Sequence, residues 1–176
     1  MYIEKPVVFF CAFVLIFSHD CLGAGLNKLP IIEARTLNKE NFSVPKSFEL
    51  NKNVLLISFG RDMQVAIDDW TRALKVPENI TGKFIVYNMP IIPNPGVIVR
   101  GFINRGFRSL YKDKLTRKLI VILYVKKELI EALVPRKEDM LQPLVLIVDR
   151  AGNILARVPG VASEANLNLV KSYISE

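Results

Sequence analysis

Few residues in this sequence could do covalent or metal chemistry. The two cysteines, Cys11 and Cys21, and the single histidine, His19, all sit near the N-terminus. A Ser-His-Asp triad needs an imidazole, and an ordinary zinc site draws on His and Cys. Beyond that first stretch neither can be built. Asp62, Asp68 and Asp69 form an acidic group, but no complete oxygen-ligand loop accompanies them. The simpler reading makes Asp62 a helix N-cap and leaves the other two solvated, with no metal expected. Ser109-Leu110-Tyr111-Lys112 spells Ser-x-x-Lys without the S-D-N and K-T-G companions of that nucleophile class. Gly96, Gly101 and Gly106 do not form a Gly-x-Gly-x-x-Gly array. They are expected to let a helix approach its neighbour closely, or to break it. No cofactor is expected.

The distinctive chemistry is charge. Between Arg100 and Lys118 the chain carries Arg100, Arg105, Arg108, Lys112, Lys114, Arg117 and Lys118 against Asp113 alone. At helical spacing Arg100, Arg108 and Lys112 fall near one line, offset from Val99, Ile103, Phe107 and Leu110. The apolar side is then expected on the sheet. Arg100, Arg105, Arg108 and Lys112 are the candidate partner-binding residues on the outer face. Pro90 to Pro95 beside them reads as a rigid docking edge. The expected partner is a protein. An anionic membrane surface is the alternative, because basic amphipathic helices also bind lipid headgroups. Nucleic acid is not expected, since no basic and aromatic recognition motif appears.

The N-terminus reads as an export leader: Lys5, an apolar run from Val7 to Phe17, and small residues up to Ala24. The run falls short of the roughly 20 residues a spanning helix needs. Cleavage is expected after Gly23 or Ala24, giving residues 1–23 as signal peptide and a periplasmic or secreted chain. A retained anchor and a lipidated Cys21 are the other outcomes. Cleavage removes both cysteines and the histidine, so no disulfide is expected despite a permissive compartment. It leaves 23 Lys and Arg against 15 Asp and Glu, a basic surface suited to anionic partners. Asn41 and Asn79 head glycosylation sequons, which matter only in a eukaryotic host.

These residues need elements to hold them. Residues 24–52 are polar and mixed, and read as an extended arm ending in a short strand or turn. Residues 53–176 read as one domain. Its strands are expected at Asn53–Phe59, Lys83–Tyr87, Leu119–Tyr124, Leu144–Val148 and Ile154–Val158. Met63, Ile67, Trp70 and Leu74 recur at helical spacing, with Pro77 just beyond. The spacing predicts further helices from Val97 to Tyr111 and from Lys127 to Val134, closed by Pro135. Ser163 is placed to cap a last helix carrying Leu167, Val170 and Ile174. Asn88 to Gly96, with three prolines, reads as a loop. Gly152 is expected at φ > 0 in the Asp149–Asn153 turn. Alternating strands and helices closed by a hairpin imply an α/β fold, with a mixed sheet covered on both faces.

Gln142-Pro143, the strand Leu144–Val148, Asp149-Arg-Ala-Gly152, the strand Ile154–Val158 and Gly160 resemble the closing pattern of the thioredoxin-like fold. That resemblance implies a cis bond before Pro143, beside the family's active site. It implies a binding face around Pro143 and Asp62. Leu56-Ile-Ser-Phe59-Gly-Arg61-Asp-Met-Gln-Val-Ala-Ile-Asp-Asp69-Trp70, with Val161-Ala162-Ser-Glu164 and Leu167, looks like the mitochondrial ATP-synthase assembly factor family and its bacterial relatives. Those are thioredoxin-like proteins without redox cysteines, and the mitochondrial members assist the membrane sector of the synthase. Thioredoxins open the helix after the first buried strand with Cys-x-x-Cys, where the helix N-terminus lowers a thiol pKa. No cysteine occurs between Phe59 and Trp70. Thioredoxin, disulfide-isomerase and thiol-peroxidase chemistry is therefore excluded in the cleaved chain. The implied role is binding, in membrane-protein or envelope assembly. A non-thiol enzyme would need a site that nothing in the sequence assembles.

Overall fold

The computed structural model describes residues 26–76, 82–134 and 136–175. The expectations for the leader, Pro77, Asn79 and Pro135 fall outside them. Seven strands and five α-helices are described: β1 (Ile32–Arg35), β2 (Asn41–Val44), β3 (Asn53–Ser58), α1 (Gln64–Ala73), β4 (Ile85–Pro93), α2 (Val97–Leu110), α3 (Lys114–Leu119), β5 (Leu123–Val125), α4 (Lys127–Leu133), β6 (Leu144–Val148), β7 (Ile154–Pro159) and α5 (Glu164–Ser175). One sheet has the order β5-β4-β3-β6-β7. β3 pairs in parallel with β4, and β4 with β5; β6 runs antiparallel to both β3 and β7. This is the expected mixed sheet.

Every residue of β3 and β6 is buried, which requires cover on both faces. Side-chain alternation sends Val54, Leu56, Val86, Val145 and Ile147 to one face. There α1 supplies Ile67, Trp70 and Leu74, and α5 supplies Val170 and Ile174. Ser163 accepts the Asn166 backbone N–H at 3.2 Å, capping α5 as its sequence position predicts. The opposite face takes Leu55, Ile57, Tyr87, Met89, Leu144 and Leu146, covered by Ile130 and Leu133 of α4 and by the N-terminal segment.

That segment is more than an extended arm. β1 and β2 form an antiparallel hairpin. It delivers Ile32, Phe42 and Val44 to the core, where Phe42 meets Tyr87 edge-on at 5.2 Å between ring centres. Burial, with the nearby Glu49 carboxylate, pushes the Tyr87 phenol well above its ordinary range.

Three further expectations are corrected. Asp62 caps no helix: it is exposed, and neither the 3-10 turn Arg61–Met63 nor α1 has a side-chain cap. The prolines of Asn88–Gly96 do not make a loop throughout, because β4 continues to Pro93. Ser58 pairs with Pro90 at the end of the β3 register, and β5 takes over only at Ile91. Pro90 thus lies where one ladder ends and the next begins, a place that tolerates a missing donor. Finally, Asp113 accepts the Thr116 N–H at 2.7 Å and starts α3. α3 takes Leu119 out of the expected third strand and leaves β5 only three residues.

α2 runs unbroken through Gly101 and Gly106, and a Cβ at either would meet nothing within 4 Å. Close approach is therefore not their purpose. Gly101→Ala and Gly106→Ala should each raise the unfolding free energy by about 0.5–1 kcal/mol by restricting the unfolded chain. A higher urea midpoint at unchanged slope is the readout.

Candidate functional site

The basic segment folds as the predicted helix, but its faces match the expectation only in part. No residue of α2 is buried. Ile98, Phe102 and Leu110 stand at 77%, 67% and 70% exposure, while Arg100 and Arg108 are half-buried beneath them. Only Ile103 and Phe107, with Tyr111 just past the helix end, pack inward, against the small cluster of Leu37, Ile120 and Ile122. The sequence reading set Val99, Ile103, Phe107 and Leu110 inward and the arginines outward; Ile103, Phe107 and Arg105 follow it, while Val99 and Leu110 are exposed and Arg100 and Arg108 turn inward. The correction has a physical cause, since polar groups of the chain lie under α2.

Tyr124 in β5 is the centre of that polar floor. Its hydroxyl lies 3.1 Å from Asn104 Oδ1, and the Arg100 guanidinium sits 5.0 Å over its ring. Arg100 also donates from Nε to Asn94 Oδ1 at 3.0 Å and to the Pro95 carbonyl at 3.2 Å; Nη2 donates to Asn94 as well. Burial pushes the Tyr124 phenol up, and the Arg100 charge opposes the shift. At the far end of α2, Arg117 donates to the Tyr111 and Arg108 carbonyls. This satisfies the helix's last acceptors and complements its dipole.

Between α2 and the β1–β2 hairpin lies an open cleft of about 670 Å³. Arg35, Lys39, Arg100 and Arg108 line it, with Glu33 as the acid, and Asn41, Asn104 and Tyr124 add polar groups. Glu33 already accepts from the Ser43 hydroxyl at 2.7 Å. Arg100 is held in place by Asn94 and Tyr124. No side-chain hydrogen bond or ion pair to another described residue engages the Arg108 or Arg35 guanidinium. Cations facing a shared, partly enclosed space raise the local concentration of anions. The arrangement can hold a carboxylate or another anion against guanidinium forks.

The four residues expected to form one surface are therefore divided. Arg100 and Arg108 line the cleft, while Arg105 and Lys112 are exposed outside it. Sequence reasoning missed Arg35, Lys39 and Tyr124, which a hairpin and a short edge strand bring from far along the chain. The signal available was the line Arg100, Asn104, Arg108, a polar stripe at helical spacing opposite Ile98 and Phe102.

Pro143 and Asp62, around which the second face is expected, both lie near the C-terminal end of β3. Leu144 pairs with Ile57, which brings Pro143 opposite that end. Gly160 donates its N–H to the Pro143 carbonyl at 2.8 Å and accepts from Trp70 Nε1 at 2.9 Å. The bond before Pro143 is trans. The cis peptide among the described residues is Val44–Pro45, in the hairpin, so that expectation is corrected. The segment opening α1 is Gly60, Arg61, Asp62 and Met63, with Met63 Sδ 3.3 Å from the Phe59 amide. The acidic group does not converge. Asp68 accepts from Gln64 at 2.8 Å and Asp69 pairs with Arg72 at 3.1 Å. Among the described residues no group of three or more His, Cys, Asp or Glu could hold a metal ion. Ser109 donates to the Gly106 carbonyl at 2.7 Å, a bond internal to α2.

No protein-family model matches the sequence, and no curated protein matches it. Solved structures do match the fold. The exposed lipoprotein thioredoxin of Streptococcus pneumoniae aligns over 83% of this chain and 98% of its own, with TM-score 0.56 at 11% identity. BsSco, of the Sco family of cytochrome c oxidase assembly proteins, aligns over 86% and 94%, with TM-score 0.55 at 13% identity. Yeast Sco1 aligns over 85% and 96%, with TM-score 0.54 at 9% identity. At such identities the likeness shows the fold, which is thioredoxin-like, and nothing about activity.

Proposed function

We propose that this is an exported thioredoxin-like protein that acts by binding a partner protein, without thiol exchange. The observation that carries the reading is the opening of α1. Where the fold elsewhere places a redox pair, this chain has Arg61, Asp62 and Met63, and residues 26–176 hold no cysteine at all. A scaffold without its nucleophile keeps only its surfaces. The surface with most unspent binding capacity is the cationic cleft of Arg35, Lys39, Arg100 and Arg108. Its partner is a protein segment rich in Asp and Glu. The resemblance read in Leu56–Trp70 to ATP-synthase assembly factors, a family that no matching sequence model supports, points to a membrane protein under assembly as the source of that segment.

A photocrosslinking residue at Lys39, on the cleft rim, should give one discrete protein adduct in the native host. The same residue at Lys171, exposed on α5, should not. Arg35→Glu with Arg108→Glu should reduce the Lys39 adduct at least about tenfold, since two charge-assisted contacts become repulsive. Equal adducts from Lys39 and Lys171, or an adduct untouched by the double variant, would overturn the cleft as the binding surface.

A further inference from the structure

We propose that the outward face of α2 docks on an anionic lipid surface. The inference goes beyond the cleft reading and does not depend on it, because it uses the opposite side of the same helix. Ile98 and Phe102 stand one turn apart on that side, with Val99 and Leu110 beside them. Val97 lies at the start of the helix, and Leu115 in α3 is exposed as well. Their exposures are 77%, 67%, 48%, 70%, 82% and 58% in the order just given. Single exposed apolar residues need no explanation, but a contiguous patch on one element marks an interaction surface.

The charges around the patch select its occupant. Arg105, Lys112 and Lys114 are exposed and have no ion-pair partner among the described residues. Asp113, the acid in their midst, spends its carboxylate on the Thr116 N–H at the start of α3. That backbone hydrogen bond also holds the carboxyl below its ordinary range, so it stays ionised as a cap. An apolar stripe rimmed by free cations matches an interface of acyl chains and anionic headgroups. A helix lying flat buries the first, and Lys and Arg reach the second. A second copy of this chain fits less well. The matching face of a second copy would carry the same cations, with Asp113 already engaged, so it offers no acid to pair with them and the net repulsion opposes association. Among the described residues no helix is long and apolar enough to cross a membrane, so the contact is peripheral.

The test is co-sedimentation of the intact protein with vesicles of phosphatidylcholine and phosphatidylglycerol, against phosphatidylcholine alone. Binding should require the anionic lipid and weaken at high salt, where the headgroup potential is screened. Ile98→Ser with Phe102→Ser should cut partitioning at least about tenfold, because two large side chains no longer enter the interface. Both positions are exposed, so the fold should survive; Arg105→Glu with Lys112→Glu is the second variant and should also release the protein. Binding that ignores lipid charge and salt and persists in both variants would overturn the proposal. So would a dimer that Ile98→Ser and Phe102→Ser convert to monomer without changing vesicle binding. Loss of the Lys39 crosslink with vesicle binding intact would sink the cleft alone.

Discussion

Trp70→Ala is expected to lower the unfolding free energy by about 3–5 kcal/mol, the range for truncating a buried aromatic. Trp70 is fully buried in α1, among Val54, Leu56, Val86, Val145, Ile147, Val170 and Ile174. It therefore joins three strands and α5 at one point. Truncation removes its own burial and leaves a void bounded by two helices and a sheet, which collapse only in part. A second loss is specific to the indole: Nε1–H donates to the Gly160 carbonyl at 2.9 Å. Trp70→Phe separates the two effects. Most of the apolar contact stays, while the Gly160 acceptor loses its indole partner, which costs about 1–3 kcal/mol. Urea unfolding of both variants gives the difference. Domains of this kind have only about 5–15 kcal/mol in total, so Trp70→Ala should remove a large share of it and lower the unfolding temperature. A loss below about 1 kcal/mol would contradict the docking of α1 on this face.

The same contrast between local pattern and long-range context explains what could be read from the chain. β3, β6, α1 and α5 are legible because each has a strong period or a continuous apolar run and covers, or lies within, the sheet. The Asp149–Asn153 turn is legible from chemistry: Gly152 adopts φ 85°, as predicted. Asp149 accepts the Asn153 backbone N–H at 2.8 Å and its side-chain amide at 2.7 Å. The β1–β2 hairpin is not legible, because four-residue strands with two inward side chains each leave almost no periodic signal. α2 fails differently. Its amphipathicity is plain, but which side faces inward depends on what lies beneath, and Tyr124 comes from β5 while Asn94 comes from the segment after β4. Where the floor is apolar, over Leu37, Ile120 and Ile122, Ile103 and Phe107 turn in as expected, and a fully apolar floor would have left Arg100 outside. Here the polar floor at the β5 edge takes Arg100 and Asn104 instead. The candidate cleft was thus half visible, as two arginines, and the residues opposite them were not.

Gly152→Ala carries the second large effect, and for reasons the turn alone would not reveal. The backbone there is left-handed, and an L-side chain in that conformation costs about 1–2 kcal/mol. A Cβ would also come within 2.7 Å of Pro45 Cγ and 2.8 Å of Pro45 Cβ. Pro45 is a ring fixed to the backbone, so it cannot swing aside as a flexible chain end would. Relief requires the turn and the hairpin to separate, an overpacking cost of about 1–3 kcal/mol. The contact is where the N-terminal segment is stitched to the domain. Leu29 donates its N–H to the Gly152 carbonyl at 2.8 Å, and Ile154 donates to the Asn27 carbonyl at 2.9 Å. Two readouts therefore follow from one substitution. Urea unfolding should show a loss of about 2–4 kcal/mol, the two costs taken together with some relaxation. Hydrogen exchange should show the Leu29 and Ile154 amides losing protection before the buried strands β3 and β6 do, because the segment lifts off as a local unit. Loss of stability with both amides still protected would place the whole cost in the turn and show that Pro45 moves freely. Retained stability would mean that the hairpin is not seated on the β6–β7 turn. The cleft would then lose its hairpin wall, since Arg35 and Lys39 reach α2 only while that hairpin is docked.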